Sequence, residues 1–368
     1  MPIHLYIHVP FCARRCSYCD FAIAVRRTIP AERYVERVLA EWTAWLDHPV
    51  VAGAGGLATI YLGGGTPSLL DPAALARLLE GIERGSPRVP GAEVTLEANP
   101  EDVSAGRARA WREAGITRVS LGVQSFAPRV LAWMHRVHSA EQAGRAVAAL
   151  REAGFENLSL DLIFGVPPEL ARDWARDLDL ALALEPAHLS LYGLTVEPHT
   201  PLARWVARGR TQPAPDQRHA EEFLLAEARL RAAGFEHYEV SNYARPGFRA
   251  VHNAAYWSRR PYIGLGPSAH SAFGDTRQWN RRDWAAYERA LARGESPVEG
   301  REVLDAEAQR LETLYLGLRT AGGVPLDLLS AEAAQRWISA GWARQEGDRI
   351  RLTAEGWLRL DALVVHGA

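Results

Sequence analysis

Three closely spaced cysteines are the residues of this sequence with the most specific chemistry. Cys12, Cys16 and Cys19 form the pattern CxxxCxxC. An odd number of cysteines does not suit a disulfide framework, but thiolates on one short loop suit a metal centre in a reducing compartment. A fully ligated iron-sulfur cluster takes four thiolates and this chain has no fourth, so one iron would keep an exchangeable position. The alternative is a structural zinc site completed by His8 or Asp20.

A second set of candidate residues lies in or directly after the predicted β-strands. The turn Gly63-Gly64-Gly65-Thr66-Pro67 follows the second strand, and polar residues occur where later strands end. In a parallel barrel these positions share one rim, where such folds carry their chemistry. A single polar residue at such a position is usually a cap, and three glycines can form any tight turn. The evidence for a functional site is therefore that all of these residues share one rim. The candidates are Tyr6, Gly64, Gly65, Thr66, Glu97, Gln124, Arg136 and Asp161.

The elements that must position these residues are six short β-rich runs that alternate with helical patterns. This alternation implies parallel strands with right-handed crossovers, and therefore an α/β fold built on an incomplete (βα)6 TIM-like barrel. The cysteine loop follows the first strand. The predicted strands are 3–9, 57–62, 94–97, 119–123, 158–163 and 189–192. The predicted helices are 31–46, 72–82, 105–114, 140–153 and 171–184.

The pattern changes twice after the barrel, which predicts three domains. Residues 1–233 would form the partial barrel, and residues 234–302 an irregular, aromatic-rich connecting segment. Residues 303–368 predict two helices, a hairpin at 344–352 and a last helix, a smaller α+β unit that resembles a winged helix. This tail holds at least as many acidic as basic residues and lacks a basic recognition face, so we expect a packing or lid module.

Composition limits the classes of partner. The formal net charge of −2 gives no overall attraction to nucleic acid or to an anionic bilayer, so we expect no nucleic-acid partner. The N-terminus leads into a strand pattern without a signal peptide, and no apolar stretch of 18 residues occurs. Together with the cysteine chemistry, this predicts a cytoplasmic protein without a transmembrane segment.

The cysteine spacing, with Tyr18 one position before the last cysteine, resembles the radical S-adenosylmethionine (radical SAM) enzymes. The resemblance implies a 4Fe-4S cluster held by Cys12, Cys16 and Cys19. The methionine amino and carboxylate groups of S-adenosylmethionine would chelate the open iron, and reductive cleavage of the sulfonium would yield a 5′-deoxyadenosyl radical. Tyr18 would pack on the adenine.

Longer segments resemble the oxygen-independent coproporphyrinogen III dehydrogenase group over essentially the whole chain. The matching segments are 7–12 (IHVPFC), 61–67 (YLGGGTP), 120–126 (SLGVQSF) and 161–167 (DLIFGVP). Members of this group can hold two S-adenosylmethionine molecules, so the resemblance implies one or two here. Tyr6, Gly64 and Glu97 would contact the molecule on the cluster. The residues that would serve the second molecule, or share both, are Gly65, Thr66, Gln124, Arg136 and Asp161.

Two features separate this chain from the dehydrogenase and resemble the HemW-type heme chaperones. Phe21 stands where the dehydrogenase has a further cysteine, and residues 252–257 read HNAAYW, which matches the HNxxYW signature of that family. The resemblance implies a protein that binds heme and delivers it to heme-accepting respiratory proteins, with a homodimer as a working form. The other function classes are the dehydrogenase itself, which would decarboxylate coproporphyrinogen, and an interaction module in the tail.

The residue types of the HNxxYW segment suit a heme site. His252 can supply an imidazole to iron, and Tyr256 and Trp257 can cover a flat macrocycle, with Asn253 in the same motif and Tyr262 nearby. The structural alternative is a hydrogen-bonded histidine in an ordinary turn. Arginines that could grip the two porphyrin carboxylates are Arg259, Arg260, Arg277, Arg281 and Arg282.

Overall fold

The first strand shows how the sheet is built. In this computed structural model, which describes residues 1–367, β1 (Ile3–Val9) is almost wholly buried. Its apolar residues join the main hydrophobic core, whereas His4, Tyr6 and His8 alternate with them on the opposite face. The imidazole of His4 is hydrogen-bonded to Thr59 of the next strand at 3.0 Å. The polar face of β1 therefore points to a polar barrel interior.

Six parallel strands form the partial barrel that the alternating pattern predicted, and the α/β fold class is confirmed. Successive strands are neighbours in the sheet, in the order of the sequence. After β1 come β2 (Leu57–Gly64), β3 (Arg88–Ala98), β4 (Arg118–Gln124), β5 (Asn157–Phe164) and β6 (His188–Gly193). All of their carboxyl ends lie at the rim that follows β1, where the cysteines are.

The helices that follow these strands cover the outside of the sheet, and several of them begin at a residue whose side chain caps the first turn. The Asp71 side chain accepts the Ala73 N–H, and Ser139 forms a capping box with Gln142. The helices are α1 (Ala31–Leu46), α2 (Pro72–Gly85), α3 (Ala105–Glu113), α4 (Ala140–Glu152), α5 (Trp174–Ala183) and α6 (Asp216–Ala232). Shorter helices span Pro49–Ala52, Pro128–Trp133 and Pro201–Ala207, and 3-10 turns span Pro67–Leu69, Pro100–Asp102 and Pro168–Leu170.

The segment 234–302 is regular, although its sequence pattern is irregular. Two strands extend the sheet beyond β6 and four extend it beyond β1, giving twelve strands within the described residues. They are β7 (Glu236–Glu239), β8 (Asn242–Ala244), β9 (Tyr262–Leu265), β10 (His270–Phe273), β11 (Thr276–Asn280) and β12 (Val298–Val303). Helices α7 (Val251–Trp257) and α8 (Trp284–Ala292) lie between them. The division of the chain into three domains stays a prediction.

The tail contains the predicted helices and hairpin. Its elements are α9 (Ala306–Leu318), β13 (Val324–Pro325), a 3-10 turn (Leu326–Leu328), α10 (Ala331–Ser339), β14 (Ala343–Glu346), β15 (Arg349–Leu352), a short helix (Ala354–Trp357) and α11 (Leu360–Gly367). Trp357 anchors this unit, because its indole donates to the Leu318 carbonyl at 2.9 Å and contacts the His237 ring of β7. No helix in the described part of the chain is long and apolar enough to cross a membrane.

Candidate functional site: a cysteine loop and two cavities

The cysteine loop is fixed at both ends by backbone pairing. Residues Phe11–Cys12 form a short parallel ladder with Ala24–Val25, and the Arg26 N–H donates to the Cys12 carbonyl at 3.0 Å. Cys12 is buried, and Cys16 and Cys19 are half-buried. The ladder holds the three thiols at the rim of the barrel on a loop with little freedom.

Two polar side chains approach the cysteine sulfurs from the barrel. The Thr66 hydroxyl donates to Cys12 Sγ at 3.4 Å, and Arg136 Nη1 donates to Cys16 Sγ at 3.8 Å. Burial raises the pKa of the Cys12 and Cys19 thiols to about 11, so thiolates here need a strong positive partner. Hydrogen bonds to sulfur are one means by which proteins tune iron-sulfur clusters.

The residues around the loop fit an iron-sulfur cluster. The Ser17 hydroxyl and Arg136 Nε are buried without a hydrogen-bond partner among the described residues. Both groups could therefore form hydrogen bonds with a cluster bound beside the thiols. No group of three or more His, Cys, Asp or Glu side chains within residues 1–367 is arranged to hold a metal ion. In a 4Fe-4S cluster each cysteine binds a different iron, so the sulfurs do not have to meet at one point.

The glycine-rich turn packs tightly against the strand that precedes the cysteines. Gly64 has a φ of +113°, which side chains disfavour, and the Gly65 N–H donates to the Val9 carbonyl at 2.8 Å. A Cβ atom on Gly65 would lie 2.8 Å from the backbone oxygens of Pro10 and Phe11. These glycines therefore let the turn approach the cysteine loop.

Glu97 is a buried carboxylate beside this turn. It accepts hydrogen bonds from the Tyr61 hydroxyl at 2.8 Å and from the Gly64 N–H at 3.0 Å. Burial raises its pKa to about 7, and the nearby Asp161 carboxylate acts in the same direction. Glu97 faces a cavity of about 270 Å³, the cluster-side cavity, whose wall includes Tyr6, His8, Asp20, Phe21, Gly64 and Arg282. An ammonium group in this cavity would find a carboxylate partner.

The other predicted residues of the site lie in different surroundings. Asp161 lies inside the barrel, where it accepts hydrogen bonds from Ser120 at 3.0 Å and from Ser159 at 3.2 Å, and burial raises its pKa. Gln124 ends β4 with a φ of +65°. Tyr18 is packed against the small apolar cluster that includes Met134. The structure thus brings Thr66 and Arg136 to the sulfurs, Tyr6, Gly64 and Glu97 to the cluster-side cavity, and Asp161 to the barrel interior.

Asn99 is a site residue that the sequence reasoning missed, and His8 enters that reasoning only as a ligand of the alternative zinc site. Asn99 Oδ1 accepts from Arg136 Nη2 at 2.5 Å, which holds the guanidinium near the thiols. His8 is hydrogen-bonded to the Tyr6 hydroxyl at 3.1 Å and to the Ala22 carbonyl at 2.9 Å. The available signal was position, because Asn99 directly follows β3 and His8 lies next to the end of β1.

A larger cavity of about 440 Å³ adjoins the first and contains part of the HNxxYW motif. Tyr6, His8 and Ser268 line both cavities. We call the larger one the aromatic cavity, since four aromatic residues besides Tyr6 contribute to its wall. Its other lining residues are Tyr256, Trp257, Arg259, Arg260, Tyr262, His270, Ala272, Phe273, Gly274, Arg277, Glu312 and Leu316.

His252 of the motif does not line this cavity. It is buried in α7, where Nδ1 is hydrogen-bonded to Thr59 Oγ1 at 2.6 Å and Nε2 to the Tyr256 hydroxyl at 2.7 Å. Burial lowers its pKa well below 6.5, so the ring is neutral. Iron ligation by His252 stays a prediction, and it would require one of these hydrogen bonds to be given up. Asn253 is half-buried and lines neither cavity.

Three of the five candidate arginines line the aromatic cavity. Arg259 and Arg277 both pair with Glu312 at 2.5 Å, and Arg260 contacts the Met1 sulfur at 3.7 Å. Arg282 instead donates to the Asp20 carbonyl at 2.7 Å and lines the cluster-side cavity. Arg281 lines neither cavity.

Comparison with known proteins agrees with this architecture. The sequence profile of the Radical SAM superfamily matches residues 6–181. The chain is 43% identical to the heme chaperone HemW of Mycobacterium tuberculosis, over 99% of this chain and 94% of that protein. It is 35% identical to the heme chaperone HemW of Bacillus subtilis, over 87% of this chain and 84% of that protein.

A solved structure with a similar fold is that of coproporphyrinogen III oxidase (HemN) from Escherichia coli, described as a radical SAM enzyme. The TM-score is 0.83 with 22% sequence identity, over 99% of this chain and 89% of that one. At this identity the likeness concerns the fold. From the identity to its bacterial relatives over nearly the whole length, the chain belongs to the HemW family of the radical SAM superfamily.

Proposed function

We propose that this chain is a heme chaperone that binds a 4Fe-4S cluster, S-adenosylmethionine and heme, and delivers the heme to acceptor proteins. The proposal depends most on one observation, the 43% identity over 99% of the chain to a protein named heme chaperone. The two adjoining cavities support it, because they offer separate space for a cosubstrate and for a flat cargo.

Cys12, Cys16 and Cys19 would hold the cluster. When bound, the cluster supplies the electron that cleaves the S-adenosylmethionine sulfonium. Glu97 and the Gly64 backbone would take up the methionine end in the cluster-side cavity, where Tyr6 forms part of the wall. Residues proposed for the adenine or a second molecule of cosubstrate are Tyr18, Gly65, Thr66, Gln124, Arg136 and Asp161.

The charge balance of the aromatic cavity suits heme as cargo. Arg259, Arg260 and Arg277 face one carboxylate, that of Glu312, so the wall has a surplus of two positive charges. Heme has two propionate carboxylates that such arginines bind with bidentate geometry. Tyr256 and Trp257 bring aromatic faces for the macrocycle.

The acceptors, the assembly and the compartment are part of the same proposal. We expect heme-accepting respiratory proteins as partners, a cluster-dependent homodimer as a working form, and a cytoplasmic location. The slightly negative overall charge makes nucleic acid an unsuitable partner.

The experiment that tests the function separates the chaperone from the dehydrogenase. Protein reconstituted under anaerobic conditions is given heme or coproporphyrinogen III. A saturable Soret shift, followed by transfer of the heme to an apo-acceptor, is expected for the chaperone. Formation of vinyl groups on coproporphyrinogen would instead make the chain a dehydrogenase. Phe21, which lines the cluster-side cavity where the dehydrogenase has a cysteine, leads us to expect no such turnover.

A further inference from the structure

The aromatic cavity contains two imidazoles, and only one of them has a free nitrogen in the described part of the chain. His8 is buried and both of its ring nitrogens are hydrogen-bonded, to Tyr6 and to Ala22. His270 is exposed to the cavity, and among residues 1–367 we find no hydrogen bond to its ring. His270 can therefore bind a ligand without losing an existing partner.

The position of His270 is well defined although its nitrogens are free. It begins β10, which pairs with β11 in antiparallel register, so that His270 lies opposite Trp279. The two rings stack with a centroid distance of 6.0 Å and an interplanar angle of 27°. Burial lowers the pKa of His270, so the imidazole is neutral near pH 7, which is the form that binds metals.

The tyrosines of the cavity are poor competitors for iron. A tyrosine binds ferric heme as phenolate, and burial raises the pKa of Tyr6, Tyr256 and Tyr262. Tyr256 is further engaged with His252, and Tyr6 with His8. Among the described residues that line the cavity, there is no cysteine and no methionine.

We propose that His270 is the axial ligand of the heme iron in the aromatic cavity. This inference rests on the proposed heme binding and adds the residue that ligates the iron. His252 then acts through its hydrogen bond to Tyr256, which it holds in the cavity wall. His270, Arg259, Arg260 and Arg277 line the same cavity, so the macrocycle would lie beside Tyr6 and Ser268, two of the residues shared with the cluster-side cavity.

The test uses the full-length, cluster-loaded protein titrated with ferric heme under anaerobic conditions. The variants are His270→Asn and the matched control His199→Asn, which also removes an exposed imidazole but lines neither cavity. We expect His270→Asn to lose the histidine-ligated visible and electron paramagnetic resonance spectra and to bind heme roughly tenfold more weakly or worse. The His199→Asn spectrum should match that of the wild type.

A second measurement separates iron ligation from a general change in the cavity. Free imidazole added to heme-loaded His270→Ala should restore the wild-type Soret position, because it supplies the missing ligand. If His270→Asn keeps the wild-type spectrum and affinity, or if His252→Gln alone abolishes histidine ligation, the assignment of His270 is overturned. If the wild-type protein shows no saturable heme binding, both the proposed function and the assignment of His270 as the iron ligand are wrong.

Discussion

The guanidinium of Arg136 lies 3.8 Å from Cys16 Sγ and is held there by the Asn99 side chain and the Gly122 carbonyl. The two residues are 120 positions apart in sequence, so the fourth βα unit of the barrel brings a fixed positive charge to the cysteine loop. The positive charge beside Cys16 should therefore affect how easily a negatively charged cluster on this loop is reduced.

Arg136→Gln should make the cluster harder to reduce. Loss of the positive charge disfavours the added electron, and we expect the reduction potential to fall by several tens of millivolts, where about 60 mV corresponds to a factor of ten for one electron. A redox titration followed by electron paramagnetic resonance measures this. Arg109→Gln, which removes an exposed arginine of α3, is the control and should leave the potential unchanged. Equal potentials in the two variants would contradict the role of Arg136.

Gly65→Ala should reduce cluster incorporation. The added Cβ would collide with the backbone of Pro10 and Phe11, which leads into Cys12 and has no flexible end that can move away. Iron and sulfide content after reconstitution, per folded chain, is the measurement. Gly106→Ala is the control because open space surrounds that position in α3, and alanine should stabilise the helix by about 0.5–1 kcal/mol. Normal iron content in Gly65→Ala would show that the close approach is unimportant.

Binding of S-adenosylmethionine should depend on pH through Glu97. The pKa of this carboxyl is raised to about 7 by burial, so it is charged at pH 8 and mostly protonated at pH 6. Affinity should therefore fall as the pH is lowered from 8 to 6, because the neutral acid is a weaker acceptor than the carboxylate for hydrogen bonds from the methionine amino group. Glu97→Gln should bind about tenfold more weakly at pH 8 and lose this pH dependence. Calorimetric titration at both pH values tests this, and an unchanged pH dependence in the variant would count against Glu97.

Glu41 and Glu239 should each lower the stability of the fold as the pH rises from 6 to 8, whereas the lowered pKa of buried histidines such as His252 acts in the opposite direction. The pKa values of Glu41 and Glu239 are also raised to about 7 by burial. At these two carboxyls the folded state therefore binds more protons than the unfolded chain in this range, and each carboxyl takes away about 1 kcal/mol between pH 6 and 8. From pH 6 to pH 8, the free energy of unfolding of Glu41→Gln, measured with urea, should therefore change by about 1 kcal/mol more in the stabilising direction than that of the wild type. Glu36→Gln, at an exposed site of the same helix, should behave as the wild type.

The barrel and the cysteine loop could be predicted from sequence because their signals are local. The run from Ile3 to Val9 alternates apolar and polar residues, and the observed β1 has the predicted bounds. Helix α1 also has its predicted bounds, since the apolar face repeats with helical period. The spacing of the three cysteines can be recognised without any knowledge of the fold.

The features that the sequence did not reveal depend on contacts between residues that are far apart in the chain. His252 offers an imidazole in sequence, but its partner Thr59 is 193 positions away, and this contact buries the ring. Strands β7 to β12 are short and partly polar, so their pattern did not predict that they extend the sheet. The importance of His270 arises only when β10 folds against β9 and places it beside the motif helix.

The most direct test of the account is the state of iron in the protein after anaerobic reconstitution with ferrous salt and sulfide. We expect four irons per chain bound by Cys12, Cys16 and Cys19, and a reduced cluster whose electron paramagnetic resonance signal changes when S-adenosylmethionine is added, since one iron has no cysteine ligand. A protein without cluster absorption, or a cluster whose signal does not respond to the cosubstrate, would contradict it.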